Sequence, residues 1–250
     1  MYFFENLMKK IRNPFRQLNT FEWILWTFSL GAIIASFFAV GSTEYANLAA
    51  SLLGVTSLIF AAKGDAFGLM IMIVFSLTYS FVSYSFGYYG ETIIYLCMQL
   101  PCAIASLINW LKHPSDKGSA EVKIGSFNKK HLAILIPLAA AITTAFYFIL
   151  QAFGTANLIV STVSVLTSFV ALYLMNLRIP AYALAFILND IVLVVLWSLA
   201  CVENIGNIAL TVSFGIFLIN DTYTFICWTR RRKRQITNSE EVPEPSPEEE

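Results

Sequence analysis

Eight apolar segments, each long enough to cross a bilayer, constrain the fold of this chain more than any other feature. They occupy residues 21–40, 45–62, 66–87, 91–112, 131–153, 156–175, 180–200 and 206–228. A membrane helix needs about 20 predominantly apolar residues, and most joints between these segments are short. With 57% hydrophobic and 13% charged residues, the chain lies outside the range of soluble domains. The sequence therefore predicts an all-α polytopic membrane protein with eight transmembrane helices.

The placement of lysine and arginine gives the expected orientation. All 16 of these residues lie before the first segment, in or beside the joints at 63–65, 113–130 and 176–180, or in the RRRKR run at 230–234. With eight spans, these positions fall on one side of the membrane together with both termini. Loops rich in Lys and Arg stay in the cytoplasm, so we expect both termini to be cytoplasmic.

The first apolar segment has a second interpretation. Its basic start and the small residues Ala39-Val40-Gly41 at its end are also typical of a cleaved signal peptide. The apolar run and the stretch before it are longer than usual for such a peptide. We therefore expect a retained helix, preceded at 1–20 by an amphipathic segment on the membrane surface.

Two groups of three segments share a weak internal repeat. Ala46-Asn47-Leu48 begins the second segment, and Ala156-Asn157-Leu158 begins the sixth. The groups also end alike, with Trp110 and Trp228 each two residues before a basic residue. Chance similarity between apolar helices is the alternative. One linker segment between the groups gives both the same orientation, so we predict a SWEET-like parallel 3+1+3 repeat, with the first helix peripheral.

This repeat divides the chain into five parts. They are an amphipathic segment with an extra transmembrane helix (1–44), a first three-helix bundle (45–112), a cytoplasmic loop with a linker helix (113–155), a second three-helix bundle (156–229), and a tail that is basic and then acidic (230–250). The tail is expected to be disordered because it ends in a Pro- and Glu-rich run. Trp23, Trp26, Trp110 and Trp228, near the basic ends of the segments, are interpreted as interface anchors.

Two Asn-Asp pairs lie deep within the seventh and eighth segments. At a rise of 1.5 Å per residue, Asn189-Asp190 begins roughly 13 Å from Pro180, and Asn220-Asp221 lies about 12 Å from Thr229. The two pairs therefore reach a similar depth. A carboxylate in hydrocarbon costs about 2.5–3.5 kcal/mol and marks a partner helix or a water-filled site. For the amides, hydrogen bonds between helices are the alternative role.

Other side chains extend this candidate site. Tyr182 shares a helical stripe with Asn189, and Phe214 shares one with Asp221. Amides and carboxylates together can recognise a nucleobase edge or sugar hydroxyls, and aromatic faces suit a flat heterocycle. The candidate substrate-binding residues are Asn189, Asp190, Asn220, Asp221, Gln99, Tyr182, Phe214 and Tyr79.

Motifs of other functional classes are absent from the sequence. It contains no Walker-type glycine loop, no HExxH and no Ser/His/Asp set, its four cysteines lack CxxC spacing, and its two histidines are isolated. We therefore predict no catalytic residues, no metal, no cofactor and no nucleic-acid partner. The expected partners are a small molecule and the lipid bilayer, and homo-oligomerisation is left open. An enzyme acting on lipids is the alternative from another class, and it would need a nucleophile.

Several stretches resemble the PnuC family of bacterial vitamin and nucleoside transporters. They are Ala61-Ala62-Lys63-Gly64, Tyr89-Gly90-Glu91, Pro101, Trp110 and Asn189. The resemblance covers about residues 45–230 and implies the same 3+1+3 topology in a bacterial inner membrane. It also implies facilitated diffusion of a nucleoside-type molecule by alternating access. Nicotinamide riboside is the family's usual substrate, and it is trapped by phosphorylation in the cytoplasm.

The departures from the family pattern fall among the candidate site residues. Tyr182 and Ala185 stand where the family has two tryptophans, and Cys102-Ala103 replaces Met-Gln after Pro101. Asn220-Asp221 has no match in the pattern. A gained carboxylate suits the cationic nicotinamide riboside, but a purine deoxyribonucleoside or thiamine is an alternative ligand. Proton-coupled transport, with Asp190 or Asp221 carrying the proton, is a further alternative.

Overall fold

The computed structural model describes residues 14–42, 45–85, 89–115, 121–155, 157–203 and 208–240. In these ranges the regular elements are a 3-10 helix at Pro14–Gln17 and eight long helices. They are α1 (Thr20–Ala39), α2 (Tyr45–Ala62), α3 (Ala66–Ser85), α4 (Tyr89–Lys112), α5 (Lys129–Ala152), α6 (Leu158–Asn176), α7 (Ala181–Glu203) and α8 (Ile208–Glu240). All eight are long and apolar enough to cross a membrane. The prediction of an all-α membrane protein with eight transmembrane helices is confirmed.

Helix α1 begins at a reciprocal capping arrangement and packs at the edge of the bundle. The Asn19 side chain accepts a hydrogen bond from the Glu22 amide at 2.9 Å, and the Glu22 carboxylate accepts one from the Asn19 amide at 2.7 Å. Such a capping box satisfies backbone donors that a helix start leaves free. Trp26 then donates a hydrogen bond to Thr56 of α2 at 3.1 Å. Residues 1–13 of the predicted amphipathic segment lie outside the described residues, and the rest includes the 3-10 helix and the start of α1.

The other helices pack in two similar groups. Helix α3 lies between α2 and α4, and α7 lies between α6 and α8. The groups meet where α4 contacts α6 and where α8 contacts α2. Helix α5, which joins the groups, packs on α6 and leaves most of its surface exposed. This arrangement supports the 3+1+3 repeat, which stays a prediction.

Two buried tryptophans form reciprocal contacts between the groups. Trp110 at the end of α4 donates from Nε1 to the Met175 carbonyl of α6 at 3.0 Å. Trp228 of α8 donates from Nε1 to the Ala61 carbonyl of α2 at 2.9 Å. Their ring centroids are 5.1 Å apart, and the residues are 2% and 0% exposed. The interpretation of these two tryptophans as interface anchors was wrong, because each ring is enclosed and caps a carbonyl at a helix end.

The loop between α4 and α5 folds across the basic end of the bundle. The Val122 amide donates to the Gly64 carbonyl at 3.1 Å, and the Gly125 amide donates to the Arg178 carbonyl at 3.0 Å. A Cβ atom at position 125 would lie 2.0 Å from the Leu177 carbonyl oxygen, so only glycine fits there. The loop therefore ties the turn after α2 to the turn after α6.

Helix α8 continues well beyond the bilayer-spanning length. It includes the basic run at 230–234 and reaches Glu240. A disordered tail was predicted from residue 230, so the helix is longer than expected. The extension is helical because the loop binds it: the Ile124 amide donates to Gln235 Oε1 at 2.9 Å, and Arg234 pairs with Glu121. The acidic part of the tail, from residue 241, lies outside the described residues.

Candidate functional site

A cavity of about 50 Å³ lies at the centre of the bundle, between the two helix groups. It has room for a few water molecules. The polar side chains on its wall are Ser57, Gln99, Ser168, Asn189, Asp190 and Asp221. The aromatic side chains on its wall are Phe75, Tyr95, Phe186, Phe214 and Phe217. Both helix groups therefore contribute to one chamber that combines polar groups with flat apolar faces.

Aromatic rings press into this cavity against a glycine of α2. A Cβ atom at Gly54 would lie 2.5 Å from Cζ of Phe217 and 3.3 Å from Cε2 of Phe75. The two rings meet edge to face, with centroids 6.3 Å apart. The narrow volume is the consequence, and a larger molecule enters only if these rings move apart.

A wide helical turn in α4 positions the wall residues of the first group. Residues Ile94–Gln99 form a π-helix, and the Leu100 amide donates to the Tyr95 carbonyl five residues earlier. Pro101 explains this turn, because it has no amide hydrogen and its ring would clash with the Cys97 carbonyl in a regular α-helix. Such π-turns are frequent at functional sites. Tyr95 and Gln99, at the start and end of this turn, both face the cavity.

The amide of Asn189 is held in one orientation by α6. Its Oδ1 accepts hydrogen bonds from Thr167 and Ser168 at 2.9 Å each and from Ser164 at 3.3 Å. Hydrogen bonds from the hydroxyl groups of α6 thus use the acceptor capacity of the Asn189 oxygen. The NH2 group of Asn189 remains as the donor that this side chain can present to a ligand.

Asp190 of α7 and Asp221 of α8 form a buried carboxyl pair. The two residues line the same cavity and are only 4% and 2% exposed. Two carboxylates buried close together repel each other, which favours a state in which one of them carries a proton. Asp190 Oδ2 and Asp221 Oδ1 are buried without a hydrogen-bond partner. Because an unpaired buried acceptor is costly, these oxygens are suited to a ligand that brings donors or positive charge.

The cavity wall does not resemble a metal centre. Within the described residues, no group of three or more His, Cys, Asp or Glu side chains is placed to bind a metal ion.

A comparison with known families places the chain among membrane transporters. The family described as "Nicotinamide mononucleotide transporter" matches residues 44–230, about three quarters of the chain. The chain belongs to this family. The match leaves out α1 and the last part of α8, and it includes every residue on the cavity wall.

Two relatives in the transporter family are similar over most of their length. A protein of Neisseria mucosa, named nicotinamide riboside transporter PnuC, is 25% identical over 216 residues, covering 85% of this chain and 81% of its own. A protein of Haemophilus influenzae with the same name is 24% identical over 205 residues, covering 81% of this chain and 88% of its own.

A solved structure has the same fold. It is titled "Crystal structure of the Vitamin B3 transporter PnuC", and it superposes with a TM-score of 0.76 over 92% of this chain and 97% of its own. The two sequences are 24% identical. The transporter fold of this chain is thus shared along nearly its full length.

The Tyr89-Gly90-Glu91 stretch, which carries part of the resemblance to the family, has a packing role. A Cβ atom at Gly90 would lie 2.7 Å from Leu150 Cδ2 and 3.0 Å from Thr155 Oγ1. Glycine therefore lets the start of α4 pack closely against the end of α5. Glu91 is buried in the same region.

Five of the eight residues expected in the transporter's binding site lie on the cavity wall. They are Asn189, Asp190, Asp221, Gln99 and Phe214. They come from three helices, α4, α7 and α8.

The other three expected residues lie behind the wall. Asn220 donates from Nδ2 to Ser29 of α1 at 3.1 Å. Its Nδ2 also donates to the Ile216 carbonyl of its own helix at 2.9 Å, so the Asn220 side chain faces α1 and not the cavity. Tyr182 packs against Trp228 with centroids 4.8 Å apart, and Tyr79 packs against Tyr95 at 4.4 Å. Tyr79 therefore supports the wall residue Tyr95 from outside, and Tyr182 likewise packs against the wall residue Phe186, with ring centroids 6.1 Å apart.

Several wall residues were missed by the sequence analysis. Phe75, Ser57 and Ser168 contribute to the chamber, and nothing in the segments of Phe75 and Ser57 marks one face as facing inward. The position of Ser168 could have been predicted from its segment. Ser161, Ser164 and Ser168 recur at helical spacing on α6, which predicts one hydroxyl-bearing stripe opposite a polar partner.

Proposed function

We propose that this protein carries nicotinamide riboside across a bacterial inner membrane by facilitated diffusion, with both termini in the cytoplasm. The two relatives with this name and substrate, and the family itself, support the substrate. The gathering of Lys and Arg at one end of the bundle supports the orientation. Phosphorylation of the substrate in the cytoplasm would keep the gradient directed inward.

The observation that carries this proposal is the Asp190–Asp221 pair on an aromatic wall. Nicotinamide riboside has a positively charged pyridinium ring, a carboxamide and ribose hydroxyls. The carboxyl pair can balance the charge of the ring, and each unpaired oxygen can accept a hydrogen bond from a hydroxyl. Faces of Phe214 and Tyr95 attract a flat cation through their negative π-surfaces.

The amides fix the orientation of the ligand in this proposal. The NH2 group of Asn189 donates to an oxygen of the carboxamide or the ribose, since its own oxygen is occupied by α6. Gln99 reaches the ligand from the opposite group and can both donate and accept. The binding site thus spans the two groups, as alternating access around a fixed site requires.

The narrow cavity is a closed form in this scheme. Admission of a nucleoside requires Phe217 and Phe75 to leave Gly54, which moves α8 relative to α2 and α3. No covalent chemistry is part of this cycle, and the protein acts as a carrier and not as an enzyme.

Uptake into liposomes that contain the full chain and no kinase tests the proposal. Labelled nicotinamide riboside should equilibrate to equal concentrations inside and outside, with or without an imposed pH gradient. The reduced, uncharged form of the same nucleoside has a similar shape and isolates the effect of charge. Wild-type protein should favour the charged form, and Asp221→Asn should lose that preference. Thr222→Ala, at an exposed neighbouring position, is the matched control and should behave as wild type.

Other ligands are compared in the same assay. A purine deoxyribonucleoside or thiamine that is taken up more readily than nicotinamide riboside would contradict the assigned substrate. An Asp221→Asn variant that keeps its preference for the charged form would contradict the role of the carboxyl pair.

The burial of two carboxyl groups on one cavity wall favours a second candidate function, proton-coupled transport. A carboxyl pair that holds one proton when the cavity is empty can release it when a cation binds. In that case an imposed pH gradient would drive accumulation of nicotinamide riboside above equilibrium, and Asp190→Asn would abolish the accumulation.

A further inference from the structure

A second pocket, larger than the central cavity, lies at the basic end of the bundle between α1 and α8. Its volume is about 290 Å³. Its lining residues are Asn19, Glu22, Lys63, Tyr223, Cys227, Arg230, Arg231 and Arg234. Four of these side chains are cationic and one is anionic. The pocket is separate from the proposed transport site, and its role does not depend on that function.

The one carboxylate in the pocket wall is already paired. Glu22 is 2% exposed, and its Oε2 lies 2.9 Å from Lys63 Nζ. Its Oε1 accepts a hydrogen bond from the Tyr223 hydroxyl at 2.8 Å. Glu22 therefore offsets Lys63, and the three arginines of α8 set the charge of the pocket.

Arg231 is a buried, fixed cation with unused donor capacity. It is 8% exposed, its Nη2 donates to the Lys63 carbonyl at 2.6 Å, and its guanidinium lies 5.4 Å from the Trp228 ring centroid. Its Nη1 is buried without a hydrogen-bond partner. A guanidinium held in this way is preorganised for an anion, because its entropy is already lost and a donor is free.

One carboxylate from the neighbouring loop, Glu121, reduces the positive charge of the pocket but does not cancel it. Glu121 pairs with Arg231 Nε at 2.9 Å and with Arg234. Burial alone would raise the pKa of Glu121, but the hydrogen bond from Arg234 and the charges of both arginines lower it below its usual value. Glu121 therefore stays ionised at neutral pH. Arg230 is exposed and has no ion-pair partner within the described residues.

We propose that this pocket binds the phosphate group of an anionic molecule. Arginine is well suited to phosphate because its planar donors match the oxygens in pairs. Arg231 supplies the fixed contact, Arg230 closes over the anion from the exposed side, and the side-chain NH2 group of Asn19 is a further donor at the rim.

The surroundings favour a membrane lipid as the source of that phosphate. The ring of Phe21 on α1 is 57% exposed and lies 5.2 Å from the Tyr223 ring, beside the pocket. An apolar surface next to a basic pocket suits acyl chains below an anionic headgroup. A soluble phosphate ester would use the arginines but not this apolar rim.

Binding of phosphatidylglycerol to the full-length purified protein tests the proposal. Native mass spectrometry and thermal unfolding are measured with phosphatidylglycerol, with phosphatidylcholine and with inorganic phosphate. We expect phosphatidylglycerol to bind and to raise the Tm, and Arg230→Gln to weaken that binding about fivefold. Arg232→Gln is the matched control, because this exposed arginine of the same helix does not line the pocket.

The outcomes are distinct. Competition by inorganic phosphate at millimolar concentration would support the phosphate site and assign it to a soluble ester. Arg231→Lys should weaken binding more than Arg230→Gln if it folds, and Arg230→Gln decides the question if it does not. Equal losses in Arg230→Gln and Arg232→Gln, or equal binding of both lipids, would overturn the proposal, since either result reports charge attraction without a pocket.

Discussion

The two helix groups form opposite walls of one cavity, and the walls differ in charge. The first group, α2 to α4, contributes neutral side chains such as Gln99 and Tyr95. The second group, α6 to α8, contributes both carboxyl groups, Asp190 and Asp221, and the oriented amide of Asn189. A scaffold with two similar halves thus presents two unlike walls. In the proposed function, the second group recognises charge, and the first supplies shape and a flat face.

The largest expected effect comes from the charged wall. Asp190→Asn should weaken binding of nicotinamide riboside about tenfold to a hundredfold, because hydrogen bonds to charged groups contribute more than neutral ones. The reduced, uncharged form should lose little. Isothermal titration of the purified protein measures both. The Tm of the ligand-free variant should not fall, since the change removes one of two neighbouring buried acids, and a large fall would indicate a structural role.

Substitutions in the neutral wall should weaken ligand binding less, and equally for charged and uncharged ligands. Gln99→Leu should weaken binding of the charged and reduced forms by about the same factor, roughly fivefold, because it removes a neutral hydrogen bond. The same titration measures it. A loss confined to the charged form would break the division of work between the walls.

A matched pair of stability changes tests whether the two groups are equivalent elsewhere. Trp110→Phe and Trp228→Phe each remove one N–H donor to a buried carbonyl, at a cost of about 1 kcal/mol. Thermal unfolding should show similar decreases in Tm for the two variants. A clearly unequal pair would count against the 3+1+3 repeat as the basis of the fold.

The smallest effect is expected behind the cavity wall. Tyr182→Phe removes a hydroxyl that donates to the Ala61 carbonyl at the long distance of 3.4 Å. Uptake should stay within about twofold of wild type, as expected for a weak bond outside the site. A loss as large as that of Asp190→Asn would return Tyr182 to the list of ligand contacts.

The sequence predicted the fold well because hydrophobic length and the positions of Lys and Arg are local signals. It found Asp190, Asp221 and Asn189 for the same reason, since polar residues are conspicuous within apolar segments. Asn220 was equally conspicuous, but its neighbour α1 could not be known from spacing.

The sequence did not reveal which helix faces pack together. Trp110 and Trp228 occupy positions where tryptophans usually meet the membrane interface, and only the packed bundle shows that they are enclosed. Phe75 lies in a uniformly apolar segment, so no pattern distinguished its inward face. The π-turn before Pro101 rotates Gln99 relative to its position in a regular helix. A helical wheel with 3.6 residues per turn does not anticipate this rotation.

The hydrogen bond between Asn220 and Ser29 links the peripheral helix α1 to the cavity wall. Asn220 donates a hydrogen bond to α1, and the next residue, Asp221, faces the central cavity. Detachment of α1 would expose the Asn220 amide to hydrocarbon with only its bond to the Ile216 carbonyl, and a turn of α8 about its own axis would bury the amide again. Such a turn would carry Asp221 out of the cavity. Loss of α1 packing at the edge of the bundle would therefore alter the central cavity.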